Sequence, residues 1–187
     1  MNQPLGNTAG LWCEVLESVE CLKGNGPSDL MEVVYHLGQK ALEIAGIENS
    51  EEKLKSNIKN GKAIKKFEEM IIAHGGETEM LGTPQLYKPE FRKEIFAKED
   101  GFIGEMDTLQ LGQAVVQLGG GRIHKNDKID YSTGILFHKK IGEFIGKGEP
   151  LLEYFCSNSI KFKSGENLLK NIFTIQTQKP NIPPLFY

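Results

Sequence analysis

The first half of the chain alternates apolar and polar residues with the period of an α-helix. Between residues 10 and 75 this pattern predicts four helices, each ended by a glycine. Ser28 and Asp29 offer capping oxygens for the second helix, and Ser50 begins the third. The apolar stripes are Leu11, Val15, Val19 and Leu22, then Leu30, Val33, Val34, Leu37, Ala41 and Ile44, then Ile64, Phe67, Met70 and Ile71, and the glycines that end the helices are Gly24, Gly46, Gly61 and Gly75. Such short, interrupted helices indicate a helical layer on a larger body rather than a free bundle.

The hydrophobic period changes after a stretch that contains Gly82, Pro84 and Pro89, so residues 77–90 are predicted to be a linker. Beyond it, short apolar runs favour strands, and Asp107 is placed to cap a helix that runs to three consecutive glycines. The predicted strands are 91–97, 102–106, 135–137, 144–145 and 151–155, the predicted last helix is 166–172, and the proline-rich tail is predicted to be irregular. The pattern as a whole predicts an α+β fold.

Charge and composition remove several classes of partner. The 187 residues carry a net charge of −3 and have no basic block, so nucleic acid is not an expected partner. Apolar runs are only a few residues long and the first residues do not form a signal peptide, so we expect neither a membrane span nor export. The three cysteines, Cys13, Cys21 and Cys156, have no metal-binding spacing. They are expected to be reduced thiols of a cytoplasmic protein.

Two glycine-rich segments invite a phosphate-binding interpretation, but their surroundings favour turns. Gly119-Gly120-Gly121 closes a predicted helix, and the carboxyl end of a helix carries partial negative charge. The segment 146–150 lacks the spacing and the Ser or Thr of a phosphate-binding loop. His36, His74, His124 and His138 are scattered and are predicted to be surface or packing residues.

Five segments carry a family resemblance. They are MNQPLGN at 1–7, GFIGEMDT at 101–108, LGGGR at 118–122, IDY at 129–131 and FHKKIG at 137–142. The last four resemble the C-terminal domain of thymidine and pyrimidine-nucleoside phosphorylases, and the first resembles a segment that lies deep inside those chains. The resemblance therefore implies the C-terminal portion of such an enzyme, without its N-terminal catalytic half.

That family is a group of pentosyltransferases that cleave pyrimidine nucleosides with phosphate to the free base and a pentose 1-phosphate. Their work requires phosphate held beneath the sugar and stabilised charge on the leaving base. The family's Lys-His-Ser-Thr-Gly-Gly and Gly-His-Thr-Gly-Gly-Thr segments are absent from the 187 residues, so no catalytic residue is carried over. The chain alone is expected to be inactive. The alternatives are a non-catalytic binding or assembly module that kept the fold, and part of an AMP phosphorylase relative.

The resemblance also implies a partial potassium site. Aligned with the bacterial enzymes, the ligands are the carbonyls of Leu5 and Thr8 and the carboxylate of Glu17. Oxygen ligands suit a hard cation, and the remaining ligands would come from the catalytic half. Trp12 is bulky where the family has a small residue, and the alternative interpretation of Glu17 is an exposed acidic residue on a helix.

For the organisation of the chain, the resemblance implies that residues 1–80 are a helical segment of the central phosphorylase domain. Residues 88–187 would be the C-terminal domain, with a sheet like that of the α/β-hammerhead fold. The segment 141–152 also resembles the hairpin of biotinyl and lipoyl carriers, but it has no Met-Lys-Met, so only a strand–turn–strand shape is shared. Expected partners are the catalytic half, with phosphate and nucleoside bound only by the complete enzyme, which is a homodimer in the family.

Overall fold

The structure, a computed structural model, describes residues 2–186, which form six α-helices and seven strands. In chain order these are β1 Thr8–Gly10, α1 Trp12–Lys23, α2 Ser28–Ile44, α3 Ser50–Lys59, α4 Lys62–Ala73, β2 Phe91–Phe96, β3 Gly101–Met106, α5 Thr108–Val115, β4 Gly134–Phe137, β5 Phe144–Ile145, β6 Pro150–Cys156, α6 Ser159–Leu169 and β7 Phe173–Gln176. The predicted α+β class is confirmed. None of the described helices is both long enough and apolar enough to cross a bilayer.

The chain folds into two compact units. The sheet unit comprises Met1–Glu14 and Tyr87–Tyr187, and the helical unit comprises Val15–Leu86. The helical unit is therefore an insertion into the sheet unit. The predicted division into residues 1–80 and 88–187 stays a prediction, but the strand β1 already lies with the later residues.

The sheet unit contains two antiparallel sheets, one with the order β1-β4-β6-β2 and one with the order β5-β3-β7. The five strands predicted from the apolar runs are all present, although neighbours along the chain separate. β2 and β3 belong to different sheets, and so do β5 and β6. Between β5 and β6 lies a turn, in which the Glu149 amide donates to the Gly146 carbonyl at 3.0 Å. The strand–turn–strand shape of 141–152 is therefore present without pairing between its two strands.

The core of the sheet unit lies between the four-stranded sheet and the helices α5 and α6. Its largest fully buried side chains include Tyr154, Ile135, Leu118 and Leu152. Asp107 caps α5, as predicted, by accepting from the Gln110 amide at 2.9 Å. Burial of these apolar side chains is the main stabilising contribution to this unit.

The prediction for the last helix was wrong at its start. α6 begins at Ser159, because Asn158 accepts hydrogen bonds from the amides of Ile160 and Lys161 at 3.0 Å each. Asn is a strong capping residue, and this signal outweighs the weak apolar periodicity that follows it. The strands β1 and β7, of three and four residues, were not predicted.

The helical unit follows the sequence pattern closely. Its four helices end at the predicted positions, but the predicted cap of α2 is wrong. Pro27 occupies the capping position without a side-chain hydrogen bond, and the Asp29 carboxylate accepts from the adjacent Leu30 amide instead. α3 packs against both α2 and α4. Neither α2 nor α4 buries a single residue completely, which distinguishes this unit from the sheet unit.

Candidate functional site

The loop before β1 turns its carbonyl groups towards a cation of the protein itself. The Lys140 ammonium donates to the Pro4 carbonyl at 2.7 Å and also to the Gly6 carbonyl. Gly6 has a φ of 72°, a conformation that a side chain would disfavour, and this bend brings its carbonyl to the same ammonium. The loop is thus bound to the segment that follows β4.

Further contacts set the position of this loop. The Gln3 side-chain oxygen accepts from the Ile141 amide at 2.8 Å. The Phe137 amide donates to the Asn7 carbonyl at 2.8 Å, and this bond continues the β1–β4 ladder towards the loop. The loop is therefore fixed at both of its ends, through Gln3 and through Asn7.

The register of β1 determines where Thr8 directs its backbone. In an antiparallel pair, every second residue exchanges hydrogen bonds with the partner strand. Asn7 accepts from Phe137, and the Leu11 amide donates to the Thr133 carbonyl at 3.3 Å, so the odd-numbered residues of β1 face β4. Thr8 therefore directs its carbonyl to the opposite side of β1, at the edge of the sheet.

The three predicted potassium ligands fall on different parts of the molecule. Leu5 lies in the loop and Thr8 in β1, both half-buried in the sheet unit, whereas Glu17 is half-buried on α1 in the helical unit. On the outer side of β1, the Gly10 amide donates to the Glu14 carboxylate at 2.6 Å. Two carbonyls and a carboxylate are a donor set that suits potassium, whereas the carbonyls that contact Lys140 belong to Pro4 and Gly6.

The described residues contain no cluster of three or more His, Cys, Asp or Glu side chains arranged to hold a metal ion.

The glycine turn after α5 is a structural turn. Gly119 has a φ of 111°, and its carbonyl accepts from the Asp130 amide at 2.9 Å. The Asp130 carboxylate accepts from the Ser132 amide at 3.0 Å, from the Ser132 hydroxyl at 2.6 Å and from the Ser157 amide at 2.6 Å. A carboxylate and a carbonyl at this turn disfavour a bound anion, which agrees with the prediction of a helix-ending turn.

Buried titratable groups of the sheet unit are held in their neutral forms. Burial raises the pKa of the Cys13 thiol to about 11, and burial also raises the pKa of the Cys156 thiol. Burial, followed by the negative charge of Glu166, raises the pKa of the Tyr154 phenol. These groups are therefore not activated nucleophiles, and they act as packing residues.

Three of the four histidines are surface residues, in agreement with the sequence prediction. His74, His124 and His138 are exposed, and the His74 ring contacts the Met70 carbonyl at 2.8 Å at the end of α4. The His138 ring lies 3.7 Å from the Glu94 carboxylate.

Lys140 and Asp130 were not predicted as site residues, although both lie in segments that carry the family resemblance. Lys140 is the second lysine of FHKKIG and Asp130 the centre of IDY. A lysine that binds carbonyls 134 and 136 residues away leaves no local signal, because its partners are backbone atoms. The structure thus shows a structural role for both motif residues: Lys140 binds the loop before β1, and Asp130 binds the turn at Ser132 and the Ser157 amide.

Comparison with known proteins identifies the class. Residues 102–176 match the family model described as the pyrimidine nucleoside phosphorylase C-terminal domain. The curated relatives include a pyrimidine-nucleoside phosphorylase from Staphylococcus epidermidis, 39% identical over 157 residues, which are 81% of this chain and 36% of the relative. One from Bacillus subtilis is 36% identical over 162 residues, 84% of this chain and 37% of the relative.

A thymidine phosphorylase from Metamycoplasma hominis is 33% identical over 177 residues, which are 92% of this chain and 65% of the relative. Most of the chain thus matches the C-terminal portion of pyrimidine-nucleoside and thymidine phosphorylases. It spans about a third of the length of the Staphylococcus and Bacillus relatives.

Proposed function

We propose that this chain is the C-terminal part of a phosphorylase that cleaves pyrimidine nucleosides with phosphate to the free base and a pentose 1-phosphate. The observation that carries this proposal is the similarity to known proteins. The relatives are phosphorylases, and their similarity extends over most of the chain. In this proposal the chain supplies the C-terminal domain and a layer of helices. The catalytic groups come from an N-terminal half like that of the longer relatives.

An apolar face on α2 supports a role in completing a larger domain. Val34, Leu37 and Ile44 are 43%, 60% and 89% exposed. Together with the exposed Ala41 they are spaced by three, four and three residues, so they form one stripe along the helix. These apolar side chains are in contact with water, which is unfavourable. An exposed apolar patch of this kind is typical of a surface that another element covers. The proposed occupant is the catalytic half.

A chimera tests the proposal. This chain would replace the matching C-terminal part of the Bacillus subtilis enzyme in one polypeptide, and release of base from uridine and thymidine would be followed with phosphate present. We expect turnover by the chimera and none by the 187-residue chain alone. A chimera that folds and binds nucleoside without turnover would favour the non-catalytic module instead.

Charged substitutions on the stripe test the proposed occupant. Leu37→Asp together with Ile44→Asp should strongly reduce the yield of active chimera, because the carboxylates would be buried without partners. The matched control is Ile160→Asp, since Ile160 is 77% exposed on α6 and lies outside the stripe. Equal activity of the double variant and the control would contradict a covered stripe.

We further propose that Leu5, Thr8 and Glu17 bind potassium in the complete enzyme. The outward carbonyl of Thr8 and the oxygen donor set support this assignment. The ion would supply a fixed positive charge to these oxygen atoms. In the chimera, potassium should raise the melting temperature relative to tetramethylammonium, and Glu17→Gln should remove that gain. Equal responses of the two proteins would rule the site out.

We place the protein in the cytoplasm. The structure shows Cys13, Cys21 and Cys156 as free thiols, which supports a reducing compartment. As in the family, the complete enzyme would be a homodimer.

A further inference from the structure

Three aromatic rings meet at one corner of the sheet unit. The Trp12 and Tyr87 rings lie edge to face with centroids 5.5 Å apart, and the Tyr87 and Tyr131 rings lie tilted at 5.3 Å. The Trp12 amide also donates to the Tyr131 carbonyl at 3.3 Å. These three residues form a continuous cluster, which we call the aromatic clamp.

The clamp lies where the chain leaves the sheet unit and where it returns. The first segment of this unit ends at Glu14, two residues after Trp12, and the second begins at Tyr87. The Trp12–Tyr87 contact therefore joins the two ends of the inserted helical unit. No contact between the two units is needed for this, since all three rings belong to the sheet unit.

The third ring connects the clamp to a rigid part of the fold. Tyr131 lies between Asp130, whose carboxylate accepts three hydrogen bonds, and the buried turn at Ser132 and Thr133. The Thr133 carbonyl in turn accepts from the Leu11 amide. Tyr131 is thus held by its backbone while half of its side chain remains exposed.

The segment that leads into Tyr87 lies on the surface. Residues 82–86 are all exposed, and the contacts seen there include the Leu86 amide donating to the Thr83 carbonyl at 3.0 Å, within the segment itself. Tyr87 is the first half-buried residue after them. Its ring contacts attach the returning chain to Trp12 and Tyr131.

We infer that Trp12, Tyr87 and Tyr131 act as a clamp that closes the inserted loop at its base. A closed base limits the conformations of residues 15–86, as loop closure does in general. The clamp keeps the two ends of the helical unit together whether or not another element covers the stripe on α2. This inference does not depend on the proposed phosphorylase activity, because it concerns the chain alone.

The experiment uses the full 187-residue chain, in which Trp12 is the single tryptophan. Tyr131→Ala should shift tryptophan emission to longer wavelength, because Tyr87 loses the ring that holds it against the indole. The same variant should speed thermolysin cleavage before Leu86 about fivefold, the effect expected for one lost aromatic pair. Tyr131→Phe should behave as the wild type, since the ring contact does not use the hydroxyl.

The matched control is Phe144→Ala. Phe144 is 55% exposed, close to the 54% of Tyr131. Its ring pairs with that of Phe102, with centroids 5.4 Å apart, and neither residue belongs to the clamp. This control should change neither emission nor cleavage. If Tyr131→Ala fails to fold, Tyr87→Gln provides the same two readouts without adding a large apolar residue that thermolysin prefers. The inference is overturned if the clamp variants match the wild type, or if Phe144→Ala has the same effects as Tyr131→Ala.

Discussion

Both compact units have regular helices, but they differ in what covers the apolar faces of those helices. In the sheet unit, α5 and α6 bury Leu111, Ala114 and Leu169 against a four-stranded sheet. In the helical unit, α2 and α4 have well-formed apolar stripes and no fully buried residue. Regular secondary structure is therefore no measure of packing: the same amphipathic pattern yields a core in one unit and an open surface in the other.

Ion pairs show the same contrast. In the helical unit they join residues three or four apart, as in Lys55 with Glu51 at 2.6 Å, and support one helix each. In the sheet unit, Arg92 donates to both oxygens of Glu153, 61 residues away, at 2.7 Å each. Only the second kind connects elements, so the tertiary structure of the sheet unit has polar as well as apolar support.

The largest expected effect is the loss of a core side chain. Leu118→Ala should lower the free energy of unfolding by about 3 kcal/mol, because Leu118 is fully buried and its removal leaves a cavity. Leu37→Ala, on the exposed stripe of α2, should change it by less than about 0.5 kcal/mol. Urea unfolding of both variants measures the difference. Similar losses would show that the stripe is already covered in the isolated chain.

A smaller effect is expected from adding one methyl group to glycines in helices of each unit. At Gly165 on α6 a Cβ would lie 2.5 Å from Leu118, which is fully buried, so Gly165→Ala should cost about 1–3 kcal/mol. At Gly38 on α2 a Cβ would lie 3.1 Å from the end of the half-buried Leu54 side chain. Leu54 can move, so Gly38→Ala should gain up to about 1 kcal/mol in helix propensity.

Gly112→Ala on α5 is the control for propensity, since nothing lies within 4 Å of the added atom. It should be stabilising by up to about 1 kcal/mol in thermal or urea unfolding. The Leu118→Ala variant should also relieve the Gly165→Ala clash, so the double variant should lose less than the sum of the two. Additive losses would mean that these two side chains do not meet.

Local signals in the sequence predicted those features that depend on a few neighbouring residues. Asp107 caps α5 and Gly46 ends α2 as expected, because capping and positive φ are properties of single positions. The start of α6 at Asn158 was missed although its signal is also local. The predicted potassium ligands Leu5, Thr8 and Glu17 came from resemblance alone and stay a proposal.

Motifs, periods and breaks in consecutive residues predicted the family resemblance, the α+β class and the ends of most helices. The folded chain adds what these patterns do not contain: β2 and β3 separate into different sheets, β1 pairs with β4, and Lys140 binds the Pro4 carbonyl. Trp12, Tyr87 and Tyr131 also come together only in the fold. The cause is distance along the chain, because pairing and ring contacts between residues tens of positions apart depend on the packing of the whole unit, which no local pattern encodes.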